Sequence, residues 1–233
     1  MTVARRPFFF GVTLFFTAAA AHAQSCQTYL FPYVVGDVTL ATVKTPREPI
    51  LRDEEGCPGK GVSCASYAYL VQGDRVLVAH AQSGYRCIAF FNGRRQTTGW
   101  VRQEILNPAA VDPAAPTAAN AAWVGTWTRQ SGEAQIVIRK QGSELYATAT
   151  ATLAVSRDNV RTGRAEGRLS VQGSNASFGE TGGEAGDRST VCRVHVRLLE
   201  DLLLADDGAT DDSNSSCGGM GVSLNGIYRR TAK

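Results

Sequence analysis

The chain has 233 residues, 24 Lys and Arg against 21 Asp and Glu, 43% apolar residues, six cysteines and three histidines. So even a charge balance excludes a polybasic surface built for nucleic acid or anionic lipid. With only His80 and His195 beyond the first 22 residues, there is little from which to assemble a zinc site or a His-dependent nucleophile.

The first element is a leader. Arg5 and Arg6 precede an apolar run from Phe8 to Ala21, and Ala21, His22 and Ala23 form a small-x-small site before Gln24. Residues 1–23 therefore read as a secretory signal peptide, too short and wrongly flanked for a membrane span. Arg5, Arg6, Pro7 and Phe8 faintly resemble a twin-arginine signal, but the general secretory route is expected. Ala23, Gln24 and Ser25 lack the pattern that would make Cys26 a lipidated residue. Cleavage near Ala23 removes Arg5 and Arg6 and leaves 210 residues with 22 basic and 21 acidic side chains, with no integral membrane segment. The Ala-rich leader suggests a bacterial periplasmic or secreted protein. All six cysteines survive cleavage, and an even number in an exported chain argues for disulfides.

Residues 24–106 form the first expected module. Val38 and Leu40 alternate with polar neighbours, and Ile50, Leu51 and Arg52 lead into the polar loop DEEGCPGKG. From Leu70 to Val101 short alternating strands are separated by polar, Gly-containing turns, the first of them Gln72, Gly73 and Asp74. Cys26, Cys57, Cys64 and Cys87 allow three pairings. The turn-forming Pro58, Gly59 and Gly61 between Cys57 and Cys64 favour a local bridge, which leaves Cys26 with Cys87.

Leu51 and Arg52, Gly73 and Asp74 before Val76 and Val78, then Thr98, Gly99, Trp100, Val101 and a closing Leu106 resemble a bacterial SH3-like domain over residues 36–106. The chain departs from that family in lacking its Asn-Val-Arg-Ser-Gly-Pro run and in the cysteine-bearing insertion between Arg52 and Tyr67. The resemblance implies a small barrel that binds cell-wall glycopeptide or a protein partner. Tyr69, Tyr85, Phe90 and Trp100 are then the candidate binding residues, since aromatic faces with polar edges suit sugars and peptides. For Trp100 and Phe90 the competing expectation is that they fill the barrel; Tyr69 and Tyr85 are better suited to a surface.

Residues 107–122, NPAAVDPAAPTAANAA, carry no aromatic residue and no periodic apolar pattern, as expected of an Ala/Pro linker. Residues 123–233 form the second module. Its apolar positions recur with period two at Ile136 and Ile138, at Leu145, Ala147, Ala149 and Ala151, at Leu169 and Val171, and at Cys192, Val194, Val196 and Leu198. Arg193, His195 and Arg197 make the opposite, wet face of that last strand. With Trp123–Arg129, Leu202–Ala205 and Gly221–Arg230 this gives about eight strands, enough to close a barrel. The expected fold class is thus all-β, with two small β-barrel modules joined by the linker.

Gly125, Thr126 and Trp127 at the start of this module and Tyr228, Arg229 and Arg230 at its end resemble the paired signature of lipocalin-like (calycin) barrels. The resemblance implies Trp127 at the barrel floor with a basic residue from the last strand across it, and strand alternation selects Arg230 over Arg229. Ala147, Ala149 and Ala151 either leave room for a small apolar ligand or accommodate Trp127 and Tyr228. Cys192 and Cys217 are the remaining cysteine pair.

Asp206, Asp207, Asp211 and Asp212 lack EF-hand spacing and read as a solvated acidic turn. No nucleophile elbow, zinc-protease, P-loop or dinucleotide fingerprint is present, so no catalytic residue, metal or cofactor is assigned. The expected function is a non-enzymatic periplasmic binding protein that recognises cell-envelope material or inhibits an envelope-attacking lytic enzyme. Its partner would be wall glycopeptide or a periplasmic protein, not nucleic acid. The alternatives are a carrier or sensor of a small apolar ligand in the C-terminal barrel, and a weak hydrolase.

Overall fold

The computed structural model describes residues 25–26, 38–92, 95–109, 120–129, 133–180, 191–208, 215 and 217–231, so the leader and residues 110–119 of the linker lie outside it. Over these residues the chain is all-β, with two antiparallel sheets of seven and nine strands and one short helix, α1 (Asn120–Trp123).

The first sheet contains β1 (Thr39–Val43), β2 (Arg47–Leu51), β3 (Ala65–Val71), β4 (Arg75–Gln82), β5 (Tyr85–Asn92), β6 (Arg95–Arg102) and β7 (Leu106–Pro108). Their order is β3-β2-β6-β5-β4-β1-β7. The turn at Gln72–Asp74 therefore does not close a hairpin. It carries the chain across the sheet and is bonded to the end of β1, Gly73 N–H donating to Val43 O at 2.8 Å and Val43 N–H to Asp74 O at 2.9 Å.

Partners opposite one another in an antiparallel ladder share a face, so the register sorts the side chains. Val43, Ile50, Leu70, Val76, Val78, Ile88, Val101 and Ile105 make this sheet's own core. Leu77, Ala79, Cys87, Ala89 and Trp100 lie on the opposite face and are also buried.

The second sheet contains β8 (Gly125–Arg129), β9 (Glu133–Gln141), β10 (Glu144–Ser156), β11 (Asn159–Arg168), β12 (Ser170–Gln172), β13 (Asn175–Gly179), β14 (Arg193–Leu199), β15 (Leu202–Asp206) and β16 (Gly226–Arg230). Its order is β11-β10-β9-β8-β16-β15-β14-β13-β12, nine strands where about eight were expected. Among the described residues no ladder closes it into a barrel. Where β11 meets β13 the contact is glycine on glycine: a Cβ at Gly167 would stand 3.0 Å from Gly179 O. Elsewhere the free side of β11 takes backbone from the segment bearing Cys217, with Arg164 N–H donating to Cys217 O at 2.8 Å and Gly219 N–H to Thr162 O at 3.2 Å. One face of this sheet buries Trp127, Ile136, Ile138, Phe178 and Tyr228 in one cluster with Trp123 of α1 and with Ala147, Ala149 and Ala151.

The two sheets pack on each other. In β15, Leu202, Leu203, Leu204 and Ala205 are all buried, which a strand covered on both faces requires. Leu203 and Ala205 face the second sheet's own core, while Leu202, Leu204 and Ile227 join Leu77, Cys87, Ala89 and Trp100 of the first sheet. Each large aliphatic side chain buried there contributes about 1.5–3 kcal/mol. Polar contacts ring the seam. Arg197 donates to Val38 O at 2.9 Å, Arg75 pairs with Glu200, and Arg229 lies 5.0 Å over the Phe91 ring. The wet face expected for β14 is thus covered at Arg197. Asn107 and Pro108 pair with β1, and Asn120–Ala122 lie in α1, which also carries the buried Trp123.

The cysteines pair as Cys26–Cys87, Cys57–Cys64 and Cys192–Cys217. Cys26–Cys87 sits inside the seam.

Candidate binding surfaces

The structure does not gather the four candidate aromatics at one place. Trp100 is 0% exposed, so it offers no face to a ligand. Nor does it sit in the first sheet's own core: it lies in the seam, where its Nε1 donates to Asp53 Oδ1 at 2.9 Å and the His80 ring meets it edge-on at 5.2 Å. Asp53 also accepts from Ser25 Oγ at 2.6 Å and Cys26 N–H at 2.8 Å, which ties the N-terminal segment to this tryptophan. The preceding Gly99 is required by close approach, since a Cβ there would stand 2.4 Å from Leu51 O.

Tyr85 is half-buried beside the same cluster. It lies opposite Arg102, whose Nε and one terminal nitrogen donate to the two carboxylate oxygens of Glu48 at 2.8 and 2.7 Å. Glu48, at 3% exposure, has no other charge beside it among the described ion pairs, and its carboxylate raises the Arg102 pKa. Phe90 is half-buried and packs on the first sheet's core. Tyr69 alone of the four is exposed, with the Arg47 guanidinium 4.0 Å over its ring.

The large apolar side chains exposed among the described residues fall in two stretches of chain, with Met220 beside the second. The first, on the first sheet, comprises Val62, Tyr67, Tyr69 and Val71. Tyr67, Tyr69 and Val71 alternate along β3, the end strand, and Tyr67 is fully exposed. This end strand is irregular. Its ladder with β2 is interrupted between Tyr69 and Ala65, and two amides are capped by side chains, Ala68 N–H by Ser66 Oγ at 3.1 Å and Val71 N–H by Asp74 Oδ2 at 2.8 Å.

The second patch comprises Leu153, Val155, Val160 and Met220. β9 pairs with β10 only as far as Thr152, whereas β10 and β11 continue to pair as far as Ser156 and Asn159. Among the described residues no third strand pairs with 153–160, which form a two-stranded projection in which every residue is exposed. Four residues of strand extend it about 13 Å past the sheet. Sequence reading missed it because the alternation Ala149, Ala151, Leu153, Val155 continues unbroken after β9 has ended.

The acidic turn is not wholly solvated. Asp207 is 4% exposed, and its carboxylate accepts from Ser215 Oγ at 2.7 Å, Ser223 Oγ at 3.2 Å and Leu224 N–H at 2.7 Å. Its own amide donates to Asn225 Oδ1 at 2.6 Å. This carboxylate organises the segment before β16, an arrangement no local sequence signal discloses. Partial burial raises the Asp206 pKa, against the lowering effect of the Gly208 amide. Asp211 and Asp212 lie outside the described residues. No group of three or more His, Cys, Asp or Glu that could hold a metal occurs among the described residues. Arg230 places its guanidinium 4.5 Å over the buried Trp127 ring and donates to Ala122 O, while Trp127 Nε1 donates to Trp123 O at 3.0 Å.

The chain matches no known family model, no curated protein and no solved structure. Among the described residues no helix is long and apolar enough to cross a membrane. Three disulfides fit an oxidising, extracytoplasmic compartment.

Proposed function

We propose that this is an exported, non-enzymatic binding protein of the bacterial periplasm. Its target is the cell envelope, either wall glycopeptide or a lytic enzyme that attacks it. The leader at residues 1–23 and the three disulfides support export. The SH3-like and lipocalin-like readings of the two sheets belong to the same proposal.

One observation carries the binding reading. Among the described residues, exposed large apolar side chains are confined to two stretches, Val62–Val71 and Leu153–Val160, with Met220 beside the second, while the fully buried apolar side chains fall in three clusters. Surfaces that keep grouped aromatic and aliphatic side chains in water are characteristic of recognition sites. Tyr67 and Tyr69 present ring faces with polar edges, and Arg47 adds a cation, a combination suited to sugar and peptide.

The test uses the full mature chain, immobilised and challenged with purified sacculi and with a panel of wall-lytic enzymes. Retention of either is expected. Retention of neither would sink the envelope reading.

A further inference from the structure

The β10–β11 projection has a chemistry of its own. Leu153 continues the inward face of β10, Val155 stands at the bulge between Ala154 and Ser156, and Val160 lies opposite Ala154 on the other face, so the ribbon is apolar on both sides. Its two-residue turn is charged: Arg157 and Asp158 stand at the tip, ahead of the aliphatic residues. A two-stranded ribbon in water gains little from its own contacts, and exposed Val and Leu on both faces gain more once both faces are covered. The base is held from one side. Arg161 donates to Met220 O at 2.7 Å, and Gly219 N–H donates to Thr162 O at 3.2 Å, on the segment fixed by Cys192–Cys217. An element presented in this manner loses little freedom on binding.

We propose that this hairpin is a wedge for the substrate cleft of a glycan-cleaving wall enzyme, with Leu153, Val155 and Val160 against the walls and Arg157 toward the catalytic carboxylates. The order of residues decides between occupants. A hairpin that dips into a bilayer must lead with apolar residues, and here it would carry Arg157 and Asp158 in first, at high desolvation cost. A flat protein surface would cover one face and leave the other wet. A cleft covers both, and a charged tip needs a charged floor. Enzymes that hydrolyse glycosidic bonds have that floor, a pair of carboxylates about 5 to 9.5 Å apart, and a guanidinium fork matches carboxylate geometry.

This inference rests on the envelope-binding reading and narrows it to a lytic enzyme. The experiment is inhibition of a two-carboxylate lysozyme digesting purified sacculi, with the full mature protein as inhibitor. Wild type is expected to inhibit. Arg157→Glu and the double variant Val155→Ser/Val160→Ser should raise the half-inhibitory concentration about tenfold or more. Asp158→Asn should leave it unchanged or lower it, because it removes a charge of the wrong sign for the floor. Gln172→Ala, at an exposed position on β12, is the control. All these positions are exposed, so an unchanged urea midpoint verifies that each variant folds. Equal inhibition by the hairpin variants and wild type would overturn the wedge and leave the binding reading in place. So would a wild type that binds sacculi, or anionic phosphatidylglycerol vesicles, without inhibiting the enzyme. A wild type that neither binds sacculi nor inhibits any wall-lytic enzyme fails both.

Discussion

Asp207, just past β15, is a buried carboxylate on which the segment before β16 depends. Its buried carboxylate takes three donors, so Asp207→Ala leaves Ser215, Ser223 and the Leu224 amide without their acceptor. A loss of about 2–4 kcal/mol is expected in urea unfolding. Its neighbour behaves oppositely. Desolvation raises the Asp206 pKa, so the folded chain holds that proton more tightly than the unfolded one. The carboxyl therefore favours the fold below the ordinary carboxylate range and loses that contribution as pH rises through the raised value. Asp206→Asn should stabilise the protein at pH 7 by less than about 1 kcal/mol, since the group keeps a solvated side. At pH 3 the gain should vanish, and thermal melts at the two pH values check it. In the first sheet Gly99→Ala forces a Cβ into Leu51 O, and a comparable loss of about 2–4 kcal/mol is expected.

At the scale of elements, the three disulfides constrain loops of very different length. Cys57–Cys64 spans 7 residues, Cys192–Cys217 spans 25 and Cys26–Cys87 spans 61. Loop-closure entropy alone ranks their contributions at about 2.4, about 3.5 and about 4.3 kcal/mol. Paired Cys→Ala variants measured by urea denaturation should follow that order. If the Cys57–Cys64 variant proves the most damaging, native packing and not chain entropy governs them. The β10–β11 hairpin is the converse case, an element that extends past its own sheet. Substitution of its exposed tip should move stability by no more than about 0.5 kcal/mol.

The whole molecule is two sheets sharing a buried seam. Leu204→Asp puts a charge against Trp100, Cys87 and Ala89 without touching either sheet's own core. The expected result is a loss of about 3–5 kcal/mol and the splitting of one cooperative unfolding transition into two, seen by calorimetry. Residues 24–109 expressed alone would expose Trp100, Leu77 and Ala89 to water and should bind a hydrophobic dye that the full chain does not.

Much of this was determined by the sequence alone, because strand alternation and cysteine spacing are local. The buried positions of β9, β10 and β14 and the turn between Cys57 and Cys64 follow from period two and from residue type, whereas an arginine over Trp127 is implied by the lipocalin-like resemblance, alternation only choosing Arg230. Trp100 shows where that logic ends. Alternation places its side chain on one face of β6, but it does not say that Leu202, Leu204 and Ile227, more than a hundred residues on, cover that face. The same limit hid Tyr67, exposed by the end position of β3, and the hairpin tip, exposed because β9 stops at the partner of Thr152. Which apolar side chains stay in water depends on where neighbouring strands end and which sheet lies above them, and only the tertiary structure decides that.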